Sequence, residues 1–178
     1  MKIAVVGAGA MGSLFGGLLA EQGHDVTLVD VNVAHLQAIQ SQGLRLHDDL
    51  GDRHIRAVRA CRPEQADGVP DLVLVFTKTL HTASALAGVA RLIGPQTYVL
   101  SLQNGLGNVE VISQHVPTER ILIGVTTWPA DLVEPGHVHS HGQGVVRLMS
   151  ADGKDRPFVA TVAQALNAAG LACTADAA

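Results

Sequence analysis

Continuous apolar runs alternate with amphipathic stretches along most of the chain. Residues 2–7 (KIAVVG), 25–30 (DVTLVD) and 71–77 (DLVLVFT) are runs of the kind that form parallel strands buried on both faces. After the first run, apolar residues recur at the spacing of one helix face, beginning with Met11 and Leu14. Strands that alternate with helices in this way predict an α/β fold with a doubly wound, mostly parallel sheet.

The same alternation continues to about residue 128. We expect further strands over residues 97–102 and 120–127, a helix over 79–93, and a helical stretch that ends near His115. Each predicted strand is a short apolar run, and each helix is followed by glycine or proline. These elements extend the parallel sheet.

Two segments alternate apolar and polar residues, as antiparallel strands do. Residues 44–48 and 54–60 flank a DDLGD turn and predict a hairpin or two edge strands, with the arginines of this stretch mostly facing water. Residues 137–141 and 145–149 predict paired antiparallel strands, and Phe158 lies in a last predicted helix. We therefore expect an antiparallel hairpin extension on the parallel sheet.

We predict one domain over residues 1–178, with its core at about 1–128 and a hairpin and terminal helix at about 129–178. The last residues, LACTADAA, carry no tail-like charge, so we expect the chain to be truncated within ordered protein. An apolar patch left there would favour self-association into a homo-oligomer.

Composition and charge narrow the function classes. The 178 residues are 47% hydrophobic, and the formal net charge is −4 without a basic run. This charge gives no reason to expect nucleic acid or an anionic membrane as a partner, so small molecules remain.

Residues 3–20 lack charge and mimic a signal peptide, but their five glycines favour a strand, a turn and a helix, and hence a cytoplasmic protein. Cys61 and Cys173 lack the spacing of a disulfide framework or a zinc motif and are expected to be buried apolar filler.

The residues GAGAMG match the pattern G-x-G-x-x-G between a predicted strand and a predicted helix. The first glycine allows the tight turn, the second lets the backbone approach a pyrophosphate, and the third lets the helix pack close to the strand. This context predicts a Rossmann-like dinucleotide site, and the alternative is a glycine-rich turn used only for packing. The predicted cofactor-binding residues of this loop are Gly7, Ala8, Gly9, Ala10, Met11 and Gly12.

Asp30 ends the second predicted strand, where the dinucleotide fingerprint carries an acid. A carboxylate at this position accepts hydrogen bonds from the ribose hydroxyls of NAD, whereas the 2′-phosphate of NADP meets a like charge. Asp30 therefore favours NAD(H) over NADP(H) as the cofactor. The alternative is an ordinary acid before a helix.

Five motifs together resemble the ketopantoate reductase family. They are GAGAMG from Gly7, FTK ending at Lys78, LQNGLGNVE from Leu102, GVTT from Gly124 and PGHVHSHGQG from Pro135. The resemblance covers the whole chain but corresponds only to the N-terminal, cofactor-binding domain of that family. It implies an oxidoreductase that reduces a 2-oxo acid, ketopantoate, to pantoate in pantothenate biosynthesis, with NADPH as the usual hydride donor and the ligands bound between two domains.

The resemblance also implies roles for three residues. Lys78 looks like the lysine that approaches the cofactor, and the alternative is a surface lysine. Asn104 looks like the asparagine near cofactor and substrate, which makes it the candidate catalytic residue, and the alternative is an Asn-Gly turn. Ala130 aligns with a backbone position beside the cofactor. The family's proton-donor lysine belongs to a helical C-terminal domain that this chain lacks, so we expect binding without appreciable turnover.

One departure from the family concerns the cofactor. NADP-dependent members usually carry an arginine just after the second strand, where this chain has Asp30, Val31 and Asn32. The chain thus looks more like the NAD-using relatives, some of which resemble D-2-hydroxyacid dehydrogenases. Another dehydrogenase with a similar start, acting on hydroxyisobutyrate or glycerol phosphate, is an alternative that the QNGLGNVE loop disfavours. A noncatalytic NAD-binding regulatory module is a third.

His137, His139 and His141 alternate along the chain, so a strand would place them on one face. Because we find no Asp, Glu or Cys to complete a ligand set with them, we expect an exposed histidine face and no metal site.

Overall fold

The structure is a computed structural model, of which we describe residues 1–103 and 107–176 without the side chain of Thr79. Five α-helices and twelve strands lie within these residues. The helices are α1 (Ala10–Glu21), α2 (Val33–Gln42), α3 (Thr82–Val89), α4 (Asn108–Ile112) and α5 (Pro157–Ala168). The strands are β1 (Lys2–Val6), β2 (Asp25–Val29), β3 (Leu44–Asp48), β4 (Gly51–Ile55), β5 (Arg59–Cys61), β6 (Leu72–Val75), β7 (Tyr98–Ser101), β8 (Ile121–Thr126), β9 (Asp131–Glu134), β10 (His137–Ser140), β11 (Val146–Ser150) and β12 (Cys173–Ala175).

The main sheet has eight strands in the order β12-β11-β8-β7-β6-β1-β2-β5. From β5 through β8 the neighbouring strands are all parallel, and among the described strands of this sheet only the pair of β8 and β11 is antiparallel. This arrangement confirms the predicted α/β fold with a Rossmann-like, mostly parallel sheet.

Helices cover both faces of the main sheet. In β1, Ile3 and Val5 face one apolar core cluster, while Ala4 and Val6 face the other. The first cluster takes in side chains of α1, α2 and α5, and the second takes in side chains of α3 and α4. A strand buried on both faces explains why its sequence reads as a continuous apolar run.

A smaller sheet in the order β4-β3-β10-β9 packs against α1. This helix thus lies between the two sheets, and glycines allow the close approach on each side. A Cβ at Gly16 would lie 2.5 Å from the Leu28 side chain of the main sheet. A Cβ at Gly17 would lie 2.8 Å from the Leu44 side chain of the small sheet. Larger residues at either position would push a sheet away.

The predicted pairing of residues 137–141 with 145–149 is wrong. β10 pairs with β3 and β9 in the small sheet, whereas β11 pairs with β8 and β12 in the main sheet. Alternation identifies a strand, but the burial of its apolar face selects the partner. Val138 lies beside Leu46, and both side chains are fully buried in the core under the small sheet.

The other predicted hairpin is confirmed only in its first part. β3 and β4 pair antiparallel around the turn, as expected for residues 44–48 and their partner strand. β5, which covers the end of the predicted second strand, instead joins the edge of the main sheet parallel to β2. Arg59 of β5 is exposed and forms an ion pair with Asp25. Cys61 is only half-buried rather than buried.

The expectation of an exposed histidine face is wrong in part. His137 is buried and His139 is half-buried, while His141 is exposed. His47 of β3 packs against two of these rings, with ring centroids 4.9 Å from His139 and 5.0 Å from His141. The histidines therefore form a packed cluster on the outer face of the small sheet.

The uncharged segment 3–20 forms β1, a turn and most of α1, which confirms the predicted strand, turn and helix. A search of the described helices finds none with the length and apolar character needed to cross a membrane.

Candidate functional site

Four parallel strands of the main sheet end at one edge, and the residues after them carry the candidate site. Gly7 follows β1, Asp30 follows β2, Lys78 lies shortly after β6, and Gln103 lies shortly after β7. In open α/β sheets, ligands bind in the crevice outside the carboxyl ends of the strands. Parallel pairing thus brings together four positions that lie far apart in the sequence.

The three motif glycines differ in what surrounds them. Gly7 has φ +95°, and a Cβ there would lie 2.7 Å from the Thr77 backbone nitrogen. A Cβ at Gly12 would lie 1.9 Å from the Gly7 carbonyl oxygen. A Cβ at Gly9 would meet no described atom within 4 Å. The first and third glycines are therefore required by packing, whereas the second leaves open space over the backbone for a ligand.

The N-terminus of α1 faces this open space. Gly9 is the N-cap, and no described side chain caps the helix. The first turn, which begins at Ala10 and Met11, contains no acidic residue. Because the first amides of a helix lack intrahelical partners and the helix dipole is positive at this end, the turn is suited to hold a phosphate.

Asp30 is tied directly to the glycine loop. Its Oδ2 accepts the Ala8 backbone N–H at 2.6 Å, and its Oδ1 accepts the amides of Val31 at 2.7 Å and Asn32 at 3.0 Å. A carboxylate has about four lone-pair sites, so three amides leave roughly one for a ribose hydroxyl. The backbone thus fixes the orientation of the acid before any ligand arrives.

Behind the loop lies a buried chain of hydrogen bonds from Gly136 through His35 and Ser13 to Ala8, which we call the His35 relay. The sequence interpretation did not predict it. The His35 Nδ1 accepts the Gly136 N–H at 2.8 Å, so the neutral ring carries its proton on Nε2 and donates it to Ser13 Oγ at 3.0 Å. The Ser13 hydroxyl donates to the Ala8 carbonyl at 2.8 Å. Burial lowers the pKa of His35, partly opposed by the charge of Asp30.

The relay joins the glycine loop to the turn between β9 and β10. Its one signal in the sequence is Ser13, a hydroxyl in a helix that otherwise holds apolar residues and glycine up to Ala20. A buried polar residue needs a partner, but the sequence does not indicate which one. The partner comes from α2 and the small sheet.

Lys78 is exposed at the carboxyl edge, in the loop after β6. Gln103 holds this loop, because its side-chain amide donates to the Thr77 carbonyl and, at 2.8 Å, to Thr82 Oγ1. Its Oε1 accepts the Ser101 hydroxyl at 3.0 Å. Gln103 therefore positions the segment that carries Lys78 and was not singled out by the sequence interpretation.

Asn104 and Ala130 are the two remaining residues of the predicted site. Asn104 lies outside the described residues. Ala130 lies directly before β9, where its half-buried side chain packs against the larger core cluster. A cleft of about 680 Å³ opens beside the ends of β7 and β8 and is lined by Gln103, Gly124 and Arg147, among other residues. The cleft and Asp30 thus lie on opposite sides of β1 in the main sheet.

Comparisons with known proteins agree with this arrangement. A ternary structure of D-mandelate dehydrogenase with NADH and anilino(oxo)acetate matches with a TM-score of 0.93 and 34% identity, over 99% of this chain and 57% of that chain. A crystal structure of 2-dehydropantoate 2-reductase from Geobacter metallireducens matches with a TM-score of 0.90 and 34% identity, over 99% and 58%.

Sequence comparison leads to the same group. The 2-dehydropantoate 2-reductase of Streptococcus pyogenes serotype M3 is 36% identical over 176 residues, which cover 99% of this chain and 57% of that protein. The chain thus spans somewhat more than half the length of the relatives it matches. The family model described as ketopantoate reductase PanE/ApbA matches residues 3–153. The glycine loop, the acid that it binds and these matches together show that the chain belongs to the ketopantoate reductase PanE/ApbA family.

Proposed function

We propose that this chain is the cofactor-binding part of an oxidoreductase that reduces a 2-oxo acid, ketopantoate, to pantoate. The observation that carries the proposal is the hydrogen bond of 2.6 Å from the Ala8 N–H to Asp30, beside the open backbone at Gly9. A phosphate site and a ribose-binding acid then lie next to each other, as a dinucleotide requires.

The residues present fit a nicotinamide dinucleotide. The first-turn amides of α1 would bind the pyrophosphate, Asp30 would bind the adenine-side ribose, and Lys78 would bind ribose or phosphate oxygens. Asn104 is proposed to hold the substrate or the carboxamide, and Ala130 to contribute backbone beside the cofactor. The nicotinamide, when bound, supplies the hydride.

Asp30 supports NAD(H) rather than NADP(H), the family default. Its carboxylate is oriented by three backbone amides, so it cannot turn away from a 2′-phosphate without losing those bonds. A phosphate there would meet a like charge. The structure of the similar D-mandelate dehydrogenase contains NADH, which is consistent with the same choice.

The second candidate is an NAD-dependent D-2-hydroxyacid dehydrogenase of the same family. The TM-score of 0.93 with D-mandelate dehydrogenase favours it, together with Asp30. Profiling the longer protein with ketopantoate and with aromatic 2-oxo acids separates the two candidates, because they differ in the bulk of the group next to the carbonyl.

We further infer that the 178 residues bind cofactor without appreciable turnover. A carbonyl that accepts hydride needs a positioned proton donor on its oxygen. The amide of Asn104 can donate a hydrogen bond but is not an acid, and the proton donor is expected in the part of the relatives that this chain does not match. Rapid NADH oxidation by the purified chain with ketopantoate would contradict this inference.

Calorimetric titration of the purified chain with NADH and with NADPH, at identical salt, tests the cofactor assignment. We expect NADH to bind at least about 10-fold more tightly, because one charge repulsion of 1.4 kcal/mol is already tenfold. Asp30→Ala is expected to remove this preference. Asp25→Ala, at the opposite end of β2, is the matched control and is expected to keep it.

Preference for NADPH would overturn the assignment of NAD, whereas binding of neither nucleotide would overturn the proposal that this chain forms the site by itself. Equal loss of preference in both variants would indicate that Asp30 acts through the net charge of the protein rather than by contact.

A further inference from the structure

Three imidazoles meet on the outer face of the small sheet, away from the motif glycines. They belong to His47 in β3, His139 in β10 and His141 just after β10. One ring nitrogen from each lies within 4.8 Å of the others. A tetrahedral zinc ion with Zn–N bonds of about 2.0–2.1 Å holds such nitrogens roughly 3.4 Å apart. Small side-chain rotations would therefore bring all three rings onto one ion.

The strand register supports this geometry. His47 and His139 are direct cross-strand partners, and each has a carboxylate as its next neighbour, Asp52 on β4 and Asp131 on β9. Paired residues share a face of the sheet, so an Asp–His–His–Asp row crosses all four strands. Ligands on paired strands are held more precisely than ligands on loops.

An acid lies beside one of the three histidines. Asp49, in the turn between β3 and β4, has its Oδ1 3.7 Å from the His141 Nδ1. Its two oxygens accept the Gly142 N–H at 3.3 and 3.2 Å, which keeps the carboxylate beside the histidine. Three imidazoles and one carboxylate would complete a tetrahedral set.

A fourth imidazole next to this cluster has a buried ring nitrogen without a hydrogen-bond partner among the described atoms. His137 is buried with its ring centroid 4.7 Å from that of His139, and its Nε2 has no hydrogen-bond partner among the described atoms. Buried polar atoms nearly always have a partner. The unpaired nitrogen therefore indicates a polar environment on this face of the sheet, beside the three clustered rings.

We propose that His47, His139 and His141 bind one divalent transition-metal ion of the zinc type, with Asp49 as the fourth ligand. Imidazole nitrogens select zinc, copper or nickel, whereas magnesium and calcium prefer sites built from oxygen ligands. With four protein ligands the site is closed and therefore structural. It would connect the β3–β4 turn to the end of β10 and does not depend on the proposed cofactor function.

The test is a calorimetric titration of the chain, without a histidine tag, with zinc sulfate. We expect one equivalent of zinc per chain, and a Co²⁺ titration is expected to give the strong visible absorption of tetrahedral coordination. His139→Ala is expected to weaken zinc binding by at least about 100-fold, because even outer-shell changes cost 10–100-fold. Asp49→Asn, which keeps an oxygen atom for the ion but removes the charge of this ligand, is expected to weaken it by at least about 10-fold.

The matched control is His54→Ala, which removes an exposed histidine of β4 on the same sheet and should leave zinc affinity unchanged. A parallel NADH titration of His139→Ala, expected to match the unaltered chain, separates this site from the cofactor site. The proposal is overturned if the unaltered chain binds no zinc, if His139→Ala binds it equally well, or if His54→Ala weakens it as much. Should His139→Ala not fold, His141→Ala, at an exposed position after the strand, carries the same expectation.

Discussion

The carboxyl edge of the main sheet and the outer face of the small sheet place their polar groups in different ways. At the main sheet, the glycine loop and Asp30 come from one βαβ unit, and backbone amides hold the acid. At the small sheet, side chains contact one another, with His47 and His139 on strands that are distant in the chain.

This difference decides how each region responds to change. The main-sheet site depends on close backbone packing, so one added methyl group can displace it. The small-sheet cluster depends on separate side chains, so a single substitution removes one imidazole while the backbone stays in place. The His35 relay connects the two regions, because it bonds to Ser13 in α1 and to Gly136 beside β10.

The largest effect is expected at Gly12. The Cβ of Gly12→Ala would lie 1.9 Å from the Gly7 carbonyl oxygen, and neither backbone can move away without opening the turn. We expect a loss of about 3 kcal/mol in the free energy of unfolding, more than the gain of about 1 kcal/mol in helix propensity. Thermal unfolding measures it.

The neighbouring variant Gly9→Ala is the control for this prediction. Its Cβ meets no described atom within 4 Å, so stability should change by less than about 1 kcal/mol. Its NADH affinity should nevertheless fall, since the methyl group occupies the space left for the pyrophosphate. A stable Gly12→Ala, or a Gly9→Ala that binds NADH normally, would contradict the roles given to these glycines.

A smaller effect is expected when the relay is removed. His35→Leu keeps apolar bulk but leaves the Gly136 N–H and the Ser13 hydroxyl without their His35 partner. We expect a loss of about 2 kcal/mol, because each buried polar group left unpaired costs about 1–3 kcal/mol. Denaturant unfolding measures this loss, with the exposed His54→Leu as control at less than about 0.5 kcal/mol. Equal stability of the two variants would rule out a structural role for the relay.

The smallest effect concerns pH. Burial lowers the pKa of His35 below its ordinary value of 6.5, so the unfolded chain binds a proton at that residue more readily than the folded chain. The stability contributed by His35 is therefore complete above about pH 7 and decreases as the pH falls below about 6.5. His24 and His137 also have pKa values lowered by burial, so the whole protein does not isolate this effect.

The contribution of His35 to the pH dependence is obtained from the difference in unfolding free energy between the unaltered chain and His35→Leu. This difference should be greatest at pH 8 and should decrease toward pH 5. A constant difference over that range would show that the pKa of His35 is the same in the folded and unfolded chain, and would contradict the prediction.

Much of the fold could be predicted because it follows local patterns. β1, α1 and β2 match the predicted elements within a residue or two, since apolar runs and helical spacing are properties of short segments. The partners of β5, β10 and β11 could not be predicted in this way. Strand pairing is set by which apolar faces are buried together, and that depends on the whole chain.

The residues of the candidate sites likewise fall into those predicted from local sequence and those found only from tertiary contacts. The glycine motif and Asp30 were predicted from residues 7–30, whereas Gln103 and the His35 relay became visible only through their contacts. The roles of Lys78, Asn104 and Ala130 remain predictions from the family resemblance. For the histidines, the sequence indicates three rings on one strand, those of His137, His139 and His141. In the tertiary structure the group of three includes His47 from another strand in place of His137.

By itself, the sequence determined the alternation of strands and helices in the first βαβ unit, the position of the glycine-rich turn and the acid that follows β2. Each of these depends on spacing within one βαβ unit, where chain connectivity already fixes the geometry. The tertiary structure alone decided that His47 lies against His139, that His35 bonds to Ser13, and that Gln103 holds the loop before Lys78. These contacts join distant segments, and the burial of apolar faces in a shared core brings those segments together.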